Sequence, residues 1–202
     1  MTLFRSTAML VSLVLVPLTV TAAPPPEPTV EYSADSTMET EGGMTMKSRV
    51  YHTPTKQRME MGGADGSVTI IRKDKKVVWQ VMGDMYMEMP LDQSNAPDMG
   101  GVDIQEQTEV GEETVNGLKT TKTKIIATRP DGAKFGGFFW TTKEGVTVKM
   151  DLLSKDGDKK MRMASELTNV KIEKQDSALF EVPAGATKND MGAMMGRGGM
   201  PN

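Results

Sequence analysis

From Val30 onward the chain is built to reverse direction at short intervals. Gly42-Gly43, Asp65-Gly66, Asn116-Gly117, Asp131-Gly132 and Asp156-Gly157 punctuate it, and such pairs suit hairpin turns with positive backbone angles. Between them lie runs rich in Val, Ile, Thr and aromatics at residues 67–73, 76–82, 119–128 and 134–142. No window shows the apolar period and caps of a long helix; the best helical candidate is one turn at residues 176–180. The chain is therefore predicted to be mainly β, with about nine to eleven antiparallel strands of typical length.

Alternation assigns the faces. Met44 and Met46 share one side of their strand, and Met59 and Met61 lie opposite Arg58 and Glu60. Val77, Trp79 and Val81 align, as do Met85, Met87 and Met89, then Val146, Val148, Met150 and Leu152, then Met161, Met163 and Leu167. One face reads as apolar and Met-rich, the other as Lys, Arg, Glu and Thr, the pattern of a sheet with a single buried side. With no long helix to cover that face, the sheet has to curl on itself as a barrel or half-barrel, fold as a sandwich, or be covered by a loop or ligand, and a curved antiparallel sheet or unclosed half-barrel is the expected fold. Residues 90–105 supply the obvious covering loop.

The two ends read differently. Residues 1–22, with Arg5 ahead of an apolar run and small residues at Val20-Thr21-Ala22, are expected to be a cleaved secretory signal peptide. The run is short for a spanning helix and Pro17 interrupts it. Residues 23–28 form a Pro-rich spacer, 29–188 the β domain, and 189–202 a Gly/Met-rich flexible tail. With no Cys at the new N-terminus, no lipid anchor is expected there, which predicts a periplasmic protein.

Composition excludes several classes of function. A net charge of −3 offers no basic footprint for nucleic acid. No Cys and a single His remove thiolate chemistry and most acid-base chemistry near neutrality. His52, next to Thr53-Pro54, reads as a solvated turn residue, and no nucleophile or metalloprotease motif accompanies it. Asp103, Glu106, Glu109, Glu112 and Glu113 lack calcium-loop spacing and read as a solvated acidic edge. The chain is thus expected to be a binding protein, not an enzyme, with no cofactor.

Methionine supplies the candidate site. The 19 Met residues are adaptable and polarizable, and a Met-lined surface repacks around variable apolar ligands. The candidate ligand-binding residues are Met44, Met46, Met59, Met61, Trp79, Met85, Met87, Met89, Met161 and Met163. The expected ligand is a lipid, a lipoprotein acyl chain or an apolar peptide, with envelope proteins as further partners. The alternative is periplasmic Cu(I) sequestration by thioethers, through Met191, Met194, Met195 and Met200 of the tail or the run Met82, Met85, Met87 and Met89.

Three stretches carry a family resemblance: GEETVNGLKTTKTKI from Gly111 to Ile125, FGGFFWTTKEGVTVKM from Phe135 to Met150, and ALFEVPAG from Ala178 to Gly185. They resemble an uncharacterised family of exported bacterial domains within the outer-membrane lipoprotein carrier superfamily of LolA, LolB and RseB. The resemblance, over residues 29–188, implies an unclosed antiparallel barrel whose concave apolar face takes acyl chains or lipoprotein segments.

Overall fold

Asn116 and Gly117 adopt φ of 49° and 81°, the positive pair that a two-residue hairpin needs, and they join neighbouring strands of 13 and 11 residues in a single sheet. The computed structural model describes residues 26–62, 66–94, 102–129, 132–156 and 159–189. The predicted signal peptide and the tail, with Met191, Met194, Met195 and Met200, lie outside the described residues apart from Asn189.

The strands are β1 (Tyr32–Thr40), β2 (Thr45–Thr53), β3 (Lys56–Met61), β4 (Val68–Arg72), β5 (Val77–Met82), β6 (Met85–Pro90), β7 (Asp103–Val115), β8 (Leu118–Thr128), β9 (Lys134–Thr141), β10 (Thr147–Asp156), β11 (Lys159–Ile172) and β12 (Thr187–Lys188). They form one sheet in the order β12-β6-β5-β4-β3-β2-β1-β11-β10-β9-β8-β7. Two hairpin ladders, β1 to β6 and β7 to β11, meet where β1 pairs antiparallel with β11. β12 alone runs parallel to its neighbour, β6. The four runs read from the sequence become β4, β5, β8 and β9, displaced by a residue at most at either end. The sheet has twelve strands rather than nine to eleven, because the two-residue β12 has no alternation to betray it.

Register shows that the sheet curls. Tyr32, His52, Gln57, Ile71, Val78 and Met89 are successive Cα partners across six strands, a row that would span about 24 Å if flat. Tyr32 at one end and Pro90 and Leu91 at the other nevertheless border the same cavity. The face carrying this row is therefore concave, and the sheet, left open between β7 and β12, is a half-barrel.

The outer face of β3 to β6 is covered by the chain's own C-terminal segment. Asp176 caps a 3-10 turn at Ser177–Phe180 by accepting a hydrogen bond from the Ala178 amide at 2.9 Å. The turn drives Phe180, fully buried, against Ile70, Trp79 and Val81. Arg72 ties the segment down: it donates to the Phe180 carbonyl, pairs with Glu181, and holds Asp74 through two parallel bonds of 2.7 and 2.8 Å. β12 then docks on β6.

Two face assignments change. Trp79 pairs with Glu88, so it lies on the outer face, opposite Met85, Met87 and Met89. Both faces of β5 are buried at this point, and hydrophobicity alone does not separate them. Val146, Val148, Met150 and Leu152 do not form one row either. A bulge between Thr147 and Lys149 breaks the alternation. Val146 and Val148 belong to the cluster that holds Trp140, whereas Met150 and Leu152 join Phe135, Phe139 and Ile125.

Candidate ligand-binding site

The concave face holds a cavity of about 940 Å³ at the end of the half-barrel where β1 begins. That volume falls in the range of small-molecule sites. Tyr32, Ile71, Pro28, Pro90 and Leu91 give it apolar walls; His52, Gln57 and Thr147 add polar groups, and Glu27, Lys73, Lys76 and Asp92 bring charge.

Tyr32 and His52 face each other across the β1–β2 ladder and stack, ring centroids 5.0 Å apart and planes 23° apart. Both are buried, so His52 is not the solvated turn residue that its sequence context predicts. Burial pushes the Tyr32 phenol up to about 12. Burial also holds the His52 imidazole below its ordinary value, although the Val30 carbonyl, 3.4 Å from Nδ1, works the other way. Both rings are neutral near pH 7, so the inner end of the cavity is polar without carrying charge.

The segment before β1 forms one wall. The Thr29 amide donates to the Glu144 carbonyl at 3.0 Å, and the Lys73 ammonium lies 2.9 Å from both carboxylate oxygens of Glu27. Gly145 permits this approach: at φ 86°, a Cβ there would stand 2.5 Å from the Glu27 carbonyl oxygen. On the far wall the Leu91 amide donates to the Lys76 carbonyl at 2.9 Å, which sets the short helical turn Leu91–Gln93 beside the β4–β5 turn.

Of the ten residues singled out from the sequence, none borders this cavity. Register puts Met46, Met59, Met61, Met85, Met87 and Met89 on the same concave face, with Met38 directly opposite Met46. Met163, on β11, continues that face beyond β1, in the row Thr40, Met163, Leu152, Gly137, Ile125. Met44 and Met161 are 64% and 59% exposed, and Trp79 faces away. The sequence missed the cavity lining because half of it comes from turns and from the segment before β1, where no periodicity operates, and the other half is contributed singly by six different strands, so no run along one strand marks it. The one available signal was Tyr51-His52, a strand pair that puts its histidine on the apolar side.

Both tryptophans lie on the outer face in matching environments. Trp79 Nε1 donates to Glu88 at 2.8 Å beneath Arg72 and Lys75, and Trp140 Nε1 donates to Glu113 at 2.6 Å beneath Lys122 and Lys149. β7 is an open edge bearing the five acidic residues, of which Glu106 and Glu113 pair with Lys124 and Lys122.

The chain shares its fold with MucB. A MucB structure overlaps it with a TM-score of 0.52 at 11% identity, covering 80% of this chain and 60% of that one. The Pseudomonas aeruginosa MucA/MucB complex gives 0.50 at 12% identity, covering 78% and 57%. LppX of Mycobacterium tuberculosis gives 0.41 at 12% identity, covering 71% and 88%. The fold is thus shared with MucB, and the open antiparallel sheet agrees with the unclosed barrel that the three sequence stretches implied. The chain spans less than two thirds of the length of the MucB chains it overlaps. No family model and no curated protein matches the sequence. Among the described residues no helix is long and apolar enough to cross a membrane.

Proposed function

We propose that this chain is an exported, periplasmic binding protein, not an enzyme, that takes an apolar ligand on the concave face of its half-barrel: a lipid, a lipoprotein acyl chain or an apolar peptide. The cavity carries this reading. Its walls are apolar, its inner end is polar but neutral, and its charges come from turns and from the segment before β1, an arrangement that suits an amphiphile inserted tail first. The semi-exposed Met row along the same face offers a path for the rest of a long ligand, because thioether side chains repack at low cost. MucB, which shares the fold, forms a complex with MucA, which supports a protein segment as a second kind of occupant.

The test uses both outer-face tryptophans as internal references. In a Leu91→Trp variant, brominated fatty acid is expected to quench the new indole and leave Trp79 and Trp140 unchanged. Mass spectrometry of organic extracts from protein purified without detergent is expected to find lipid. An empty extract together with an unquenched Trp at position 91 would remove the proposal.

A further inference from the structure

We propose that the mouth of this cavity selects amphiphiles whose headgroup carries a phosphate and an ammonium together; the inference rests on the binding role proposed above. Four charged side chains border the cavity: Glu27, Lys73, Lys76 and Asp92. Glu27 and Lys73 neutralise each other at 2.9 Å. Lys76 and Asp92 enter no ion pair among the described residues, yet the Leu91 amide bond to the Lys76 carbonyl holds their backbones side by side. Lys76 adopts φ 56°, a left-handed conformation rare for a lysine, which fixes where its side chain leaves the turn.

Charge at this mouth therefore sums to zero, but among the described residues one cation and one anion enter no ion pair. A purely anionic headgroup gains Lys76 and meets Asp92, while an uncharged one engages neither. A phosphate beside Lys76 with an ammonium beside Asp92 satisfies both. The neutral Tyr32 and His52 rings at the inner end offer no competing charge, so orientation is fixed with the head outward and the chain inward.

The experiment measures dissociation constants by equilibrium dialysis for three probes with one common acyl chain, below their aggregation limits. The probes are lysophosphatidylethanolamine, lysophosphatidylglycerol and monoacylglycerol. Lysophosphatidylethanolamine is expected to bind about two- to fivefold more tightly than lysophosphatidylglycerol, the range for exposed ion pairs, with the difference shrinking at high salt. Asp92→Asn is expected to abolish the difference by weakening lysophosphatidylethanolamine and tightening lysophosphatidylglycerol, and Lys76→Gln to weaken both phosphate probes while leaving monoacylglycerol unchanged. Equal binding of all three probes, or a preference that survives Asp92→Asn, overturns the headgroup inference and leaves apolar binding standing. Failure of all three to bind overturns both.

Discussion

Tyr32 and His52, twenty residues apart in sequence, stack face to face as Cα partners on β1 and β2, and both buried rings border the cavity. The pair makes stability depend on pH. His52 titrates below its ordinary value when folded, mainly through burial, with Lys73 adding to the depression and Glu27 and Glu31 opposing it. Between the folded value and the unfolded one near 6.5, the unfolded chain binds the extra proton. Stability is thus full above about 6.5 and lost as pH falls toward the folded value. Thermal melts are expected to drop between pH 7.5 and 5.5, and His52→Gln should flatten that slope; an equal slope in the variant would refute the assignment.

A second acid transition belongs to Asp74. Its two bonds to Arg72 hold the carboxyl at about 2. This contribution is complete above the ordinary value of 3.8 and disappears as pH falls toward 2. Arg72→Met removes that anchor together with the bonds to Phe180 and Glu181. Because Asp74 and Glu181 are partly solvated, the expected loss at pH 7 is about 2 kcal/mol rather than the larger figure for a fully buried pair. Urea unfolding measures it, and the variant should also lack the Asp74 transition below pH 4.

Phe180→Ala tests the outer cover. The side chain is fully buried against Ile70, Trp79 and Val81, so truncation is expected to cost about 3–5 kcal/mol. In a Trp140→Phe background, Trp79 emission should shift to longer wavelength. Combined with Arg72→Met, the two losses should fall short of additivity, since both substitutions release the same segment.

Gly145→Ala tests the wall before β1. Its Cβ would stand 2.5 Å from the Glu27 oxygen, and φ of 86° is strained for alanine. The expected cost is about 1–3 kcal/mol, with faster proteolytic cleavage around residues 26–30 than in the parent. Unchanged cleavage would mean that this segment does not depend on the glycine.

Period-two patterning was enough to make the chain a one-layer antiparallel sheet, because alternation and Asx-Gly turns act within a few residues of each other. It also aligned Met59 with Met61, and Met85, Met87 and Met89, correctly within each strand. Which strand faces coincide is a different matter, since it depends on cross-strand register and on what lies above the sheet. Trp79 shows the limit: Val77, Trp79 and Val81 look like an inward row, but Phe180 arrives from 101 residues away to bury them from outside. The cavity is further still from local control. Tyr32, His52 and Ile71 come from three strands, Leu91 and Lys76 from separate turns, and Glu27 from the segment ahead of the sheet. Only the curl of the half-barrel brings them together. The sequence by itself determined the strands, the turns and an apolar side; the tertiary structure decided which residues share the concave face and where it deepens into a site, because curvature and register are set by contacts between residues far apart in the chain.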